Sequence, residues 1–279
     1  MIKEGDRHSH LPILEGDEAR SIDLEVSERL GRMRVLEAVA TRIADMVAYH
    51  LGLSRDGSCL LFVAGKGNNG ANAIAAARML HLRGWNVRVV PLAELQPADG
   101  AEGDGRSSGA DGPSPASGGG SYSFEGLRPN MKEQLELYAQ FVGTDRLHPS
   151  DWDRIRLHGG VIVDGILGTG IRDPPRGVSL WAIRAISEAA GGGGARVLSI
   201  DMPSGLNHVT GRAPGACVEA TWTINLHMLK RGQLAGDSGR YVGELWSAET
   251  ALGFVTFPGS ERFMDFYRDG PIRRVELGE

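Results

Sequence analysis

Two aspartates and two asparagines lie beside glycine clusters in this sequence, each just beyond a short apolar run. They are Asp164, Asp201, Asn68 and Asn69. Two carboxylates can stabilise a cationic intermediate and exchange its proton when their surroundings keep one ionised and leave the other partly protonated. Amide side chains add hydrogen-bond donors and carbonyl acceptors. The four residues therefore indicate a ligand site with proton-transfer or charge-stabilising chemistry.

The first glycine cluster has the pattern of a strand, a tight loop and a helix. Residues 61–64 are apolar, and Gly65, Gly67 and Gly70 surround the two asparagines before apolar residues resume at helical spacing. Glycines let a ligand approach the backbone closely, and the free N–H groups of a helix's first turn bind anions. The alternative is a turn that only reverses the chain. Adjacent amide side chains favour a site, because a plain turn needs neither of them.

The second and third clusters repeat this arrangement. Asp164 ends a predicted strand and precedes a glycine turn, and Asp201 ends another and precedes a turn that contains Ser204. Each aspartate alone has a plain alternative, a helix cap or an ordinary Pro-Ser-Gly turn. A parallel sheet would nevertheless bring all three clusters to the edge where such sheets bind ligands.

Short apolar strands alternate with longer helical segments along the chain. This alternation predicts a parallel sheet with helices on both faces. One or two helices are predicted within Ile22–Leu51, before the first strand. The predicted strands are Cys59–Ala64, Asn86–Pro91, Val161–Gly165, Val197–Ile200 and Thr221–Leu226, and the other predicted helices are Ala71–Arg83, Lys132–Gly143 and Leu180–Ala190.

The composition argues against several classes of protein. A formal charge of -5 with mixed signs and an aromatic content of 6% argue against a nucleic-acid partner. Two cysteines, Cys59 and Cys217, cannot build a disulfide framework, which favours a reducing, cytoplasmic location. No apolar stretch is long enough to cross a bilayer, so no membrane partner is expected. A small-molecule substrate is the partner that we expect.

The 279 residues are enough for one large α/β domain. The C-terminal residues Phe263, Phe266 and Tyr267 offer a docking face for the body or for a second subunit. The predicted organisation is an N-terminal tail over 1–21, a single domain over 22–258 and a C-terminal tail over 259–279.

Two segments are predicted to be flexible. Residues 97–123 are rich in Gly, Ser, Ala, Asp and Pro and have almost no apolar side chain to bury, which is typical of a mobile surface insertion. Gly191–Gly194 is predicted to be a flexible connection between a helix and a strand.

Three motifs, in order along the chain, resemble those of the YjeF N-terminal domain family. The resemblance runs from about Ile22 to Gly253. Characterised members are NAD(P)H-hydrate epimerases with a Rossmann-like three-layer α/β/α sandwich around a mainly parallel sheet. The resemblance implies that fold, an isomerase activity and a homodimer formed through the helices that precede the first strand. The motifs are Asn-Asn-Gly at Asn68–Gly70, Asp-Gly-Ile-Leu-Gly-Thr-Gly at Asp164–Gly170 and Asp-Met-Pro-Ser-Gly-Leu at Asp201–Leu206, and Lys230-Arg-Gly232 is similar to a Lys-Pro-Gly turn of the family.

The resemblance also implies roles for residues at the motif positions. Asn69, Asp164 and Ser204 would hold a potassium ion, and oxygen ligands of these types suit a hard cation. No redox cofactor is expected. Asp164 and Asp201 would be the catalytic carboxylates. Substrate would be bound by Asn68, Asn69, Gly70, Asn72, Gly168, Thr169, Gly170 and Ile171, together with Asp201.

The first motif departs from the family's pattern Gly-Asn-Asn-Gly-Gly-Asp-Gly at three positions. Asn72 replaces an aspartate, and Ala71 and Ala73 replace glycines. Asparagine keeps the shape of aspartate but cannot accept a proton, and the two methyl groups are expected to narrow the approach of a dinucleotide phosphate. Two further hypotheses follow from this departure. One is a repurposed member that cyclises or isomerises a cyclic amine or imine in specialised metabolism, and the other is a non-catalytic scaffold domain similar to those of messenger-RNA decapping proteins.

Overall fold

A mainly parallel sheet occupies the centre of the computed structural model. The structure describes residues 11, 13–14, 17–93, 95–97, 122–250 and 259–276. The strands within these ranges are β1 (Ile13–Leu14), β2 (Cys59–Ala64), β3 (Asn86–Pro91), β4 (Gln96–Pro97), β5 (Tyr122–Ser123), β6 (Val161–Gly165), β7 (Arg196–Ile200), β8 (Trp222–Leu226), β9 (Leu229–Lys230), β10 (Glu244–Ala248) and β11 (Ile272–Arg274).

Seven of these strands form the main sheet, in the order β11-β10-β8-β7-β6-β2-β3. Every neighbouring pair is parallel except β10 and β11, which are antiparallel. The order places β2, β6 and β7 side by side, so their carboxyl ends share one edge of the sheet. All five predicted strands belong to this sheet, which confirms the α/β class.

Helices cover both faces of the sheet. Alternate residues of β2 show the two layers, because Leu60 and Phe62 enter a core shared with α2, α3 and α4, whereas Leu61 enters the core shared with α5 and α6. This arrangement confirms the three-layer α/β/α sandwich. The helices are α1 (Asp17–Leu30), α2 (Arg32–Asp45), α3 (Asn68–Leu82), α4 (Pro129–Phe141), α5 (Trp152–Arg156), α6 (Gly177–Gly193), α7 (Ser238–Tyr241) and α8 (Ser260–Phe266), with a π turn at Met46–His50 and a 3-10 turn at Arg231–Gln233.

Several predicted boundaries were wrong. Helix α3 begins at Asn68 and not at Ala71, so the asparagines belong to the helix itself. Helix α6 continues through three of the glycines that were predicted to form a flexible joint, ends at Gly193 and is followed by Gly194, whose φ is 67°. A residue with positive φ is a common way to end a helix, and glycine adopts that conformation without strain.

The C-terminal segment packs on the body of the protein, as one of its two predicted alternatives stated. Phe263, Phe266 and Tyr267 are buried in a cluster with Val26 and Met202. Strand β11 of the same segment extends the main sheet beside β10. Of the predicted insertion, residues 98–121 lie outside the described residues, and the flanking strands β4 and β5 pair with each other. No helix within the described ranges has the length and hydropathy of a membrane span.

Candidate functional site

The three motifs meet at the carboxyl ends of β2, β6 and β7. A Cβ atom placed on Gly168 would lie 3.6 Å from Asn69 Cγ and 3.6 Å from Asp201 Oδ2. One glycine of the second motif therefore lies between a side chain of the first and a side chain of the third. The prediction that the strand ends bring the three motifs together is confirmed.

The asparagines of the first motif lie in the first turn of α3. Asn69 Nδ2 donates to the carbonyl oxygens of Leu167 at 3.0 Å and Ile200 at 3.1 Å. This amide ties α3 to the turn after β6 and to the end of β7. Asn68 is exposed, and its Oδ1 accepts a hydrogen bond from Asn130 Nδ2 at 3.2 Å. Asn69 therefore anchors the site, whereas Asn68 stays accessible to a ligand.

Asn72 is the only one of the three departures from the family pattern that is accessible. It lies one turn beyond Asn68 on the same face of α3 and is partly exposed. Ala71 and Ala73 are completely buried in the core. A Cβ atom on Gly165 would come within 2.6 Å of Ala73 Cβ, so this methyl group packs against the end of β6. The expectation that the two methyl groups narrow the approach of a phosphate was therefore wrong, because both point into the core.

Asp164 is completely buried at the end of β6. Its Oδ1 accepts hydrogen bonds from Ser204 Oγ at 2.5 Å and Ile166 N at 3.2 Å, and its Oδ2 accepts from Ser199 Oγ and Ser204 N, both at 2.9 Å. Burial raises the pKa of this carboxyl, and the four hydrogen bonds oppose the rise. Because three of these hydrogen bonds come from the turn after β6 and the turn after β7, the buried Asp164 holds the two turns together.

Oxygen atoms of the kind that potassium prefers lie together beside Asp164. The Ser204 hydroxyl has one proton, and it donates this proton to Asp164, with which it makes the shorter of its two contacts. The other contact, 3.2 Å between Ser204 Oγ and the Leu167 carbonyl oxygen, therefore joins two oxygen atoms that have no proton between them. Asn69 Nδ2 donates to this carbonyl and to that of Ile200. The Ser204 hydroxyl, the Leu167 carbonyl and the Asp164 carboxylate are oxygen groups that suit a hard cation, so the chemistry of these residues fits a potassium ion.

An ion pair that the motif comparison did not predict holds Asp201. Lys230 Nζ binds Asp201 Oδ1 and also donates to Asn225 Oδ1 at 3.0 Å and to the Leu226 carbonyl at 2.6 Å. All three ammonium protons therefore have acceptors. Gln233 Nε2 donates to the Asp201 carbonyl at 2.8 Å and secures a backbone with a φ of 68°. The sequence had singled out Lys230 through its resemblance to the family's Lys-Pro-Gly turn, but it did not identify Asp201 as the partner.

We expect Lys230→Met to lower the free energy of unfolding by about 3 kcal/mol, because it leaves a mostly buried carboxylate unpaired. The side chains of Lys230 and Asp201 are only 10% and 13% exposed. Urea unfolding at neutral pH measures the effect. Lys132→Met is the matched control, because Lys132 and its partner Glu125 are 32% and 79% exposed. The control should keep the wild-type midpoint. Equal shifts in both variants would contradict a special role for the Lys230 pair.

The second glycine turn forms the accessible rim of the site. Thr169 and Gly170 are exposed, and Gly168 and Ile171 are partly exposed, whereas Gly70 is buried. Sequence reasoning assigned no role to two residues that contact this turn, Asn207 and His208. They follow the third motif, and neither residue type at that position carried a recognisable signal.

Comparison with protein families gives one match that covers most of the chain. The sequence profile described as "YjeF-related protein N-terminus" matches residues 32–103 and 122–232. The matched residues include all three motifs and Lys230. The interruption of the match falls within the predicted insertion.

The chain is similar, at modest sequence identity, to several proteins whose names state an activity. An NAD(P)H-hydrate epimerase of Limosilactobacillus reuteri is 26% identical over 84% of this chain and 92% of its own length. Proteins named bifunctional NAD(P)H-hydrate repair enzyme Nnr are 30% identical in Hyperthermus butylicus and 27% in Moorella thermoacetica, each over 78% of this chain. The chain spans only 36% of the length of these two bifunctional relatives.

A solved structure shares the fold. The crystal structure of yeast ynu0, YNL200c, superposes with a TM-score of 0.61 at 16% identity and covers 94% of this chain and 95% of the yeast chain. Both lengths are covered almost completely, so the likeness extends over the whole arrangement of sheet and helices.

Proposed function

Because the chain belongs to the family of YjeF-related protein N-termini, whose named relatives include NAD(P)H-hydrate epimerases, we propose that it interconverts the two epimers of hydrated NADH or NADPH. One observation carries the proposal. Gly168 lies between the Asn69 side chain on α3 and the Asp201 carboxylate. A dinucleotide bound at this glycine would have hydrogen-bonding groups on one side and a negative charge on the other.

The reaction needs a site that stabilises a cation and moves one proton. The hydrate has a hydroxyl group on a carbon bonded to the ring nitrogen. When the C–O bond breaks, its electron pair leaves with oxygen, which takes up a proton and departs as water, while the nitrogen lone pair forms a C=N bond. Water then adds to the opposite face, forms a new C–O bond and releases a proton. One centre is inverted, and no electron, proton or water is consumed.

Asp201 is the residue that we assign to the cation and the proton. Its carboxylate borders the glycine turn at Gly168, and Lys230 fixes it in place from the buried side. A preorganised negative charge stabilises the developing iminium cation without reorganisation during the reaction. The same oxygen atoms can accept the proton that the incoming water releases and return it to the departing hydroxyl.

The phosphates of a dinucleotide are assigned to the start of α3. Gly67 caps this helix without a side-chain hydrogen bond, so the first-turn N–H groups are available to an anion. Asn68 and Asn72 lie on the accessible face of the same helix and add amide groups. Thr169 and Gly170 of the second turn are exposed and are assigned to the same substrate site.

Asp164 is assigned a supporting role in this mechanism. Its carboxylate holds Ser204 and the backbone after β6, and it is completely buried, so it does not face a dinucleotide bound at the glycine turn. A potassium ion, when bound by Asn69, Asp164 and Ser204, would supply a fixed positive charge that holds these turns together. The direct catalytic role of Asp164 stays a prediction.

The decisive experiment follows the epimers of hydrated NADH and NADPH by chromatography, with and without potassium. We expect interconversion at least about 100-fold above the spontaneous rate, since general acid–base catalysis alone contributes roughly that much or more. Potassium is expected to increase the rate. A well-folded protein that leaves both rates at the spontaneous value would contradict the proposed function.

A second candidate function is favoured by Asn72. This residue is partly exposed on the face of α3 that carries Asn68, and it brings no carboxylate to the site. A repurposed enzyme that cyclises or isomerises a cyclic amine or imine would need the cation-stabilising Asp201 but not a second exposed acid. Turnover of such an amine, together with an absence of hydrate epimerisation, would favour this candidate.

We also propose a homodimer and a cytoplasmic location. The predicted dimer contact lies in the helices before β2, where Leu24 and Tyr49 are 52% and 74% exposed. Exposed large apolar side chains of this kind, one on α1 and one on the π turn after α2, suit a contact between subunits. Sedimentation of the purified protein measures its oligomeric state.

A further inference from the structure

His208 lies against the second glycine turn, and the proposed mechanism does not use it. Gly170 N donates to His208 Nδ1 at 3.4 Å, which is a long hydrogen bond. The neighbouring Asn207 donates from Nδ2 to the Ile171 carbonyl at 2.9 Å. Two consecutive side chains from the loop after the third motif therefore contact the backbone of the turn that forms the rim of the site.

The backbone of His208 is fixed by further hydrogen bonds. Gly232 N donates to the His208 carbonyl at 2.7 Å. Asn207 Oδ1 accepts from the backbone N atoms of Val209 and Thr210, both at 2.9 Å. A loop that is held in this way presents the imidazole in one place before a ligand arrives, so little entropy is lost when the ligand binds.

The hydrogen bond from Gly170 decides which ring nitrogen carries the proton. A backbone N–H only donates, so Nδ1 accepts, and the proton of the neutral ring lies on Nε2. Burial lowers the pKa of His208; the charge of Asp201 raises it, and those of Lys230 and Arg172 lower it further. The ring is therefore neutral near pH 7. The side chain is partly exposed, and no described residue accepts a hydrogen bond from Nε2.

We propose that His208 is a further substrate-binding residue, whose Nε2 donates a hydrogen bond to an oxygen atom of the substrate bound at the Gly168–Ile171 turn. The inference rests on the proposed function and adds a specificity contact to it. The recognised group is an oxygen acceptor, either a neutral hydroxyl or carbonyl or an anionic phosphoryl oxygen. Contacts of this type act mainly on substrate affinity, so they affect KM more than kcat.

The test measures KM and kcat for hydrated NADH with the full chain and three variants. His208→Ala is expected to raise KM roughly three- to tenfold, the usual value of one hydrogen bond, with kcat within about twofold of wild type. His208→Gln is expected to recover most of the loss, because its amide nitrogen replaces Nε2. Val209→Ala is the matched control, since this neighbouring side chain is exposed and only its backbone belongs to the turn.

The KM ratio of His208→Ala to wild type at pH 6 and pH 8 distinguishes the two acceptors. If the acceptor is a neutral oxygen, the KM ratio is the same at pH 6 and pH 8. If the acceptor is a phosphoryl oxygen, the KM ratio is larger at pH 6, because the imidazole gains a proton in the complex and its positive charge strengthens the contact. An unchanged KM in His208→Ala, or no recovery in His208→Gln, would overturn the role of His208 alone. A wild-type protein that does not epimerise the hydrate would contradict the proposed function and the His208 inference together.

Discussion

Asp201→Asn is expected to slow the epimerisation of hydrated NADH by roughly 100- to 10,000-fold while the protein stays folded. Asparagine adopts a φ of 68° about as readily as aspartate, and its amide oxygen can still accept the hydrogen bond from Lys230. The variant therefore removes the negative charge and the proton acceptor but preserves the backbone. Initial rates, with circular dichroism as the check on folding, measure the effect.

Asp173→Asn is the control for this prediction. Asp173 lies two residues beyond the Gly168–Ile171 turn and is exposed, so its loss should leave the rate close to that of wild type. An unchanged rate in Asp201→Asn would remove this carboxylate from the mechanism. A comparable loss in both variants would show that the overall negative charge, and not the position of Asp201, matters.

Gly65→Ala is expected to destabilise the protein by about 3 kcal/mol or more, or to prevent folding, because the new methyl group has no space. Its Cβ would lie 1.9 Å from the Ile166 carbonyl oxygen, so the backbones of the first two motifs would have to separate. Gly70→Ala should behave in the same way, since its Cβ would lie 1.9 Å from the Gly65 carbonyl oxygen. Thermal or urea unfolding of the purified variants measures the loss.

Gly67→Ala provides a control within the same loop. No atom lies within 4 Å of the Cβ position at Gly67, and its φ of -106° is open to alanine. The cost should stay within about 1 kcal/mol, the difference between glycine and alanine as a helix cap. A loss at Gly67 as large as that at Gly65 would contradict the argument from close contact.

The strands that sequence reasoning found share one physical property. Each of the five is parallel to its neighbours and carries several consecutive buried residues; four lie inside the sheet, whereas β3 lies at its edge with Asn86 and Arg88 exposed. Strands β10 and β11 escaped notice because the charged residues Glu244, Arg273 and Arg274 shorten their apolar runs. The start of α3 escaped notice for another reason. Asparagine favours turns in isolation, and here the hydrogen bonds of Asn69 to Leu167 and Ile200 support its helical position.

The candidate site was predictable in its residue types but not in its accessibility. Asp164 and Asp201 look alike in the sequence, each at the end of an apolar strand beside a glycine. In the structure one is completely buried with four hydrogen bonds, and the other pairs with Lys230 at the rim of the site. The difference arises from neighbouring strands, since Ser199 of β7 reaches Asp164 across the sheet.

The α/β class, the order of the three motifs and the family of the chain follow from its sequence alone. These features depend on local patterns, namely apolar runs, glycine turns and the residues that follow each strand. Three further features emerge from the packing of the folded chain: Lys230 pairs with Asp201 over a separation of 29 residues, Ala71 and Ala73 fill the core, and His208 contacts Gly170. Such partners are chosen when non-consecutive elements pack together, and local patterns carry no information about that choice.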